Sequence, residues 1–118
     1  MPKAMHANAA LFGLCEAIER YGARIRAIEA GDDDRADRPL VEEQRAIALR
    51  QLASTFATTR REARAKCRTA AAALDWEIER RMMAPSAEER LVISALRDAA
   101  ALPPVQQGGK LYANVPFH

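Results

Sequence analysis

The feature that most constrains this chain is a stretch of 45 residues, between Pro39 and Pro85, that contains neither glycine nor proline. These two residues are the strongest interruptions of helices, and the stretch is rich in alanine, the best helix former. It therefore predicts a long central helix over residues 39–83. One unbroken helix of this length would span roughly 67 Å, whereas a compact domain of 118 residues has a diameter of about 35 Å. The prediction therefore implies an elongated molecule.

One alternative stays open within this stretch, at residues 54–59. Serine and threonine are concentrated there, and Thr59 with Glu62 forms a T-x-x-E pattern that is typical of a helix start. A break at this point would divide the stretch into two helices. We favour the continuous helix because threonine costs only about 0.5 kcal/mol in a helix and nothing in the segment forbids one.

Two shorter helices are predicted on either side, over residues 8–30 and 87–102. The first carries a seam of apolar residues spaced three and four apart, which are Leu11, Leu14, Ile18, Tyr21, Ile25 and Ile28. The last begins at a capping box formed by Ser86 and Glu89 and is expected to bury Val92 and Leu96. Short connections favour antiparallel packing of both helices along the central one. The sequence predicts an all-α, coiled-coil-like bundle with one domain over 1–102 and an extended tail over 103–118.

This arrangement leaves the middle of the central helix, near residues 62–68, uncovered by either flanking helix. An uncovered apolar surface is commonly closed by a second copy of the chain. We therefore expect a homo-oligomer, most simply a dimer. The seam of the central helix is expected to include Leu49, Leu52 and Phe56.

Composition excludes several classes of protein. The chain holds 26 alanines and only 5% aromatic residues, which argues against an all-β or a disordered protein. A net charge of +2 does not by itself require nucleic acid or an anionic membrane. No run of about 18 apolar residues is present, so no membrane span is predicted. Cys15 and Cys67 fit neither a disulfide framework nor a zinc site, and we expect a cytoplasmic protein without cofactor or metal.

A basic segment is the first candidate site. It carries five positive charges against one negative charge, on Arg60, Arg61, Arg64, Lys66 and Arg68. Such a stripe could contact phosphate or an acidic partner, or it could be a solvated helix face. Aromatic residues are not interleaved with these cations, which argues against stacking on single-stranded bases. An acidic connector over residues 32–43 has the opposite charge and is interpreted as a solvated linker.

The tail and the one tryptophan are the other candidates. The tail holds four apolar residues that could dock on the bundle or on a partner, namely Leu111, Tyr112, Val115 and Phe117. Trp76 is expected to contact the last helix, with an anchoring role in a subunit interface as the alternative.

Catalytic patterns are absent from the sequence. His6 and His118 lie near the two ends, and no phosphate-binding glycine loop occurs. We predict a non-enzymatic assembly or protein-interaction subunit that self-associates through its long helix. The alternative is a nucleic-acid-binding accessory protein that uses the basic segment.

Overall fold

The structure is a computed structural model that describes the backbone of residues 2–102 and the side chains of residues 9–102. It contains four α-helices, α1 (Pro2–Glu29), α2 (Arg38–Ala53), α3 (Arg60–Arg81) and α4 (Ala87–Ala101). A turn of 3-10 helix at Arg35–Asp37 precedes α2, and the described residues form no strand. The predicted all-α class is confirmed. The first helix extends beyond the predicted residues 8–30 toward the N-terminus.

The predicted unbroken helix over 39–83 is wrong, because the chain breaks between Ala53 and Arg60. The hydroxyl of Ser54 donates to the carbonyl of Arg50 at 3.2 Å, and that of Thr55 donates to Gln51 at 2.7 Å. The Arg50 carbonyl keeps its helical bond from the Ser54 N–H, whereas the Thr55 N–H has moved to the carbonyl of Leu52. The Thr55 hydroxyl thus takes the place of its own N–H on Gln51, where the helix ends. The alternative of two helices, with a break at 54–59, is the arrangement observed.

Thr59 and Glu62 form the new helix start that the T-x-x-E pattern indicates. Thr59 is extended, with φ −130° and ψ 162°, and its hydroxyl oxygen accepts the Glu62 N–H at 3.1 Å. The Glu62 carboxylate accepts the N–H of Thr58 at 2.7 Å and its hydroxyl at 3.1 Å. Glu62 is fully buried. This side chain therefore fixes the connection between α2 and α3 to the first turn of α3.

The break changes which helix lies in the centre. The α1 helix packs against both α2 and α3, and α4 packs against α3. Antiparallel pairing of α1 with α2 and of α4 with α3 is as predicted. In contrast, α1 and α3 run parallel, with Phe12 near Arg61 at one end and Glu29 bonded to Arg80 at the other. The spatial order is thus α2, α1, α3, α4.

The α1 helix reaches residues 62–68, contrary to the expectation that neither neighbouring helix would do so, although Ala63 and Arg68 stay exposed. Ala65 is buried against α1, and the thiol of Cys15 donates to its carbonyl at 3.8 Å. The reason is the break, which allows α3 to fold back along α1. The original argument for a second copy over this region therefore no longer holds.

The core consists of two clusters along α1. One contains Leu11, Ile18, Ala48, Leu52 and Ala65. The other contains Ile25, Ile28 and Val41, with Tyr21 and Trp76 against it. The predicted seam of α1 is confirmed, with Leu14 half-buried. Phe56 is 86% exposed instead of lying in a seam, because it falls in the connection between α2 and α3.

The inward face of α4 differs from the prediction. Ile93 is its buried residue, whereas Val92 is 46% exposed and Leu96 is half-buried. The predicted capping box is present, with Ser86 and Glu89 each accepting the other's backbone N–H. Both guanidinium ends of Arg81 also donate to the Glu89 carboxylate, at 2.8 and 2.9 Å. The turn from α3 to α4 is thus held by one carboxylate.

The pH dependence of stability tests this carboxylate. The hydrogen bonds from Arg81, together with the Ser86 N–H, lower the pKa of Glu89 from 4.5 to about 2. The unfolded chain therefore binds a proton more readily, and this contribution to stability is lost as the pH falls from 4.5 toward 2. We expect Glu89→Gln to flatten the urea midpoint against pH in that window. Glu88→Gln, at an exposed neighbouring carboxylate, should leave the curve unchanged, and an equal flattening would contradict the assignment.

Candidate interaction surfaces

The basic segment is divided by the structure. Arg61, Arg64 and Arg68 face a groove between α1 and α3. Arg60 is exposed and is not among the residues that line it. Lys66 instead donates to the carbonyl of Thr55 at 2.7 Å, where it stabilises the break before α3. The five predicted cations therefore do not form a single surface.

The groove has a volume of about 900 Å³ and extends from Phe12 and Arg61 at one end to Trp76 at the other. Two further arginines line it, Arg26 from α1 and Arg45 from α2. Sequence reasoning missed both, because they join the α3 arginines only through the parallel packing of α1 and α3. The spacing of arginines along α3 gives no information about arginines that other helices contribute to the groove.

The five arginines of this arginine groove differ in their partners. Arg64 donates to the carbonyl of Leu102 at 2.9 Å, and Arg26 pairs with Glu79 at 3.3 Å. Within residues 9–102, no ion pair is formed by Arg45, Arg61 or Arg68. Glu16 and Glu19 also line the groove, so cations exceed anions in its walls.

Trp76 lies against α1, and the predicted contact with the last helix is wrong. The indole packs over the buried Gly22, where a Cβ atom would lie 3.4 Å from Cζ3 of the ring, within ordinary van der Waals contact. The ring also packs against the cluster of Ile25, Ile28 and Val41. The cause is again the return of α3 along α1. An interface role for Trp76 stays a prediction.

Three guanidinium groups surround this indole. Those of Arg80, Arg45 and Arg26 lie 4.0, 4.4 and 4.6 Å from the ring centre. Cation–π attraction favours each contact, while the three like charges repel one another. Arg80 bonds the Glu29 carboxylate at 2.6 and 2.9 Å, which lowers the pKa of Glu29. Burial, followed by the charge of Arg80, lowers the pKa of Arg45.

A second surface lies along α4, an exposed apolar face formed by Leu91 and Val92 that continues to Leu102, the residue that caps the helix. Leu91 is 70% exposed although it lies in the second turn of an amphipathic helix. Met82 and Met83 are also exposed at the turn that precedes α4. This concentration of exposed apolar side chains is typical of a surface that contacts another molecule.

The acidic connector has a structural role. Arg24 bonds Asp33 at 3.2 Å and Asp37 at 2.8 Å, and Asp34 accepts the N–H of Ala36 at 3.0 Å. These contacts hold the turn between α1 and α2.

Among the described residues, histidine, cysteine and carboxylate side chains form no group of three or more that could hold a metal.

The tail residues Leu111, Tyr112, Val115 and Phe117 lie outside the described residues. No helix in the described part of the chain is both long and apolar enough to cross a bilayer.

No protein-family model matches the chain, and no curated protein or solved structure is detectably similar to it. The surfaces themselves are therefore the basis for a functional proposal.

Proposed function

We propose that this protein is a non-enzymatic interaction subunit that forms a dimer through the exposed apolar face of α4. The observation that carries the proposal is that α4 packs substantially against α3 alone, while Leu91, Val92 and Leu102 stay exposed. The route differs from the one predicted from sequence, which used the middle of a long helix. In that region Ala65 is buried against α1.

A second copy is the occupant that fits this face best. A two-fold axis places the same patch on both subunits, so an apolar patch meets an apolar patch. The antiparallel pair of α3 and α4 is half of a four-helix bundle, and a second pair completes it. Ala95 and Ala99 lie beside Leu91 and Val92 on the helix surface, and their small side chains allow close approach of two α4 helices.

We place nucleic-acid binding second. It is supported by the convergence of Arg61, Arg64 and Arg68 on one groove. It is weakened because Lys66 is bonded to Thr55 and Arg60 does not line the groove.

Docking of a partner by the tail stays a prediction. A cytoplasmic location is proposed on the ground that Cys15 and Cys67 are free thiols.

The dimer is tested by the substitution Leu91→Glu. Sedimentation velocity of the wild-type chain should give a mass twice 13.0 kDa. A carboxylate at Leu91 would have to be desolvated in the interface, so we expect the dimer dissociation constant to rise about tenfold or more. Because Leu91 is 70% exposed in one chain, the fold itself should be unaffected.

The matched control is Leu40→Glu on α2, where a leucine is 58% exposed but lies away from α4. This variant should sediment like the wild type. A wild-type chain that stays monomeric at high concentration would contradict the proposal, as would equal dissociation of both variants.

A further inference from the structure

The arginine groove has more positive charge than its surroundings neutralise. Its walls contain five arginines and two glutamates, Glu16 and Glu19. Of the arginines, only Arg26 forms an ion pair within residues 9–102, and its partner, Glu79, does not line the groove. Arg45 is half-buried beside two other cations, Arg26 and Arg80. An anion that entered the groove would relieve this repulsion.

We propose that the groove binds an acidic peptide segment of a partner protein, with its carboxylates on Arg45, Arg61, Arg64 and Arg68. Guanidinium groups bind carboxylates through two parallel N–H···O bonds, which gives both strength and orientation. The groove follows α3 from Arg61 to Trp76, which corresponds to roughly 22 Å of helix. An extended peptide of about six or seven residues has this length.

The small residues of the groove favour a peptide as the occupant. Its lining on α3 includes Ala65, Ala72 and Ala73, which separate or follow the arginines along the helix. Small side chains leave room for the apolar side chains that alternate with acidic ones in an extended segment. The arginines on either side would then bind the carboxylates.

Nucleic acid fits the same groove less well. Single strands are bound through bases that stack on open aromatic faces. Here three guanidinium groups surround the Trp76 ring, and that of Arg61 lies 5.5 Å from the Phe12 ring centre. Duplexes are read by a protruding helix or ribbon that enters a groove of the nucleic acid. In this protein the arginines line a concave surface instead.

A titration with a short oligoglutamate peptide tests the proposal. Trp76 is the only tryptophan of the chain and lines the groove, so its fluorescence reports binding at this site. We expect the peptide to change Trp76 emission at low salt. The triple variant Arg61→Gln, Arg64→Gln and Arg68→Gln should bind about tenfold or more weakly, since charge-assisted hydrogen bonds are lost.

The control is a second triple variant, Arg35→Gln, Arg50→Gln and Arg90→Gln. It removes the same net charge from exposed arginines that lie outside the groove and form no ion pair in the described part of the chain. Its affinity should stay within about twofold of the wild-type value. The single variant Arg68→Gln, at an exposed side chain, should show a smaller loss of peptide affinity. It tests the same surface if the groove triple variant does not fold.

Three results would overturn the proposal. The first is no change in Trp76 emission and no binding of the peptide. The second is equal weakening in both triple variants, which would mean attraction by overall charge. The third is tighter binding of a single-stranded oligonucleotide of equal charge, which would assign the groove to nucleic acid. The proposal does not depend on the α4 dimer, because α4 contributes no lining residue to the groove.

Discussion

Trp76→Ala is expected to lower the free energy of unfolding by about 2–3 kcal/mol, somewhat less than the roughly 3–5 kcal/mol for a fully buried aromatic side chain because Trp76 is half-buried. The indole fills the space beside Gly22 and contacts the cluster of Ile25, Ile28 and Val41. Its removal also deprives three arginines of their cation–π contacts. This loss is a large fraction of the 5–15 kcal/mol that stabilises a typical domain.

Urea unfolding followed by circular dichroism measures this loss without relying on tryptophan fluorescence. Trp76→Phe retains a ring and should cost less than the alanine variant. Phe56→Ala, at a side chain that is 86% exposed, should change stability by no more than about 0.5 kcal/mol. If the alanine variants at Trp76 and Phe56 were equally stable, the packing of α3 on α1 would be different from that described.

Glu62→Ala is expected to destabilise the protein by about 2–4 kcal/mol. The carboxylate accepts two hydrogen bonds from Thr58, and bonds to charged groups contribute about 1.5–3 kcal/mol each. Its negative charge also lies in the first turn of α3, where the helix dipole favours an anion. Truncation would leave the Thr58 N–H without this acceptor in a partly buried place.

The control for this variant is Glu88→Ala, at an exposed glutamate in the first turn of α4. It removes the same charge from the first turn of a helix, at the second instead of the third helical position, and should cost less than about 1 kcal/mol. Glu62→Gln, which keeps an acceptor oxygen, should lie between the two. Similar unfolding midpoints for Glu62→Ala and Glu88→Ala would show that Glu62 does not hold the connection.

Local sequence patterns identified α1, α4 and the two antiparallel pairs, but they did not decide the break between α2 and α3 or the parallel packing of α1 and α3. The alternating spacing of Leu11, Ile18, Ile25 and Ile28 identified the buried face of α1, since a single helix face gives such a period. The S-x-x-E pattern located the start of α4, because both capping partners lie within four residues. Short connections likewise predicted both antiparallel pairs.

The break in the 39–83 stretch could not be decided locally. Serine and threonine at positions 54 and 55 each cost only about 0.5 kcal/mol in a helix, which is too little to end one without help from other contacts. The deciding contribution comes from contacts far apart in sequence, such as burial of Ala65 against α1. Because the continuous helix was favoured over the break, the parallel pair of α1 and α3 and the position of Trp76 were not predicted.

Only some of the arginines of the groove were predicted, again because the break between α2 and α3 decides which helices meet. Arg61, Arg64 and Arg68 share one helix, so their common face follows from a spacing of three and four residues. Arg26 and Arg45 belong to helices whose relation to α3 is set by the break. Lys66 shows the reverse case, since a cation that fits the basic pattern is used for a backbone bond to Thr55.

The serial order of helix contacts has a consequence for cooperativity. The α4 helix has one main neighbour, α3, and neither core cluster includes a residue of α4. An element with so few core contacts opens at a lower free energy than the rest of a domain. A helix of 15 residues is marginal by itself in water. A molecule that binds the exposed face of α4 therefore also stabilises this helix, so that binding and folding of α4 are thermodynamically linked.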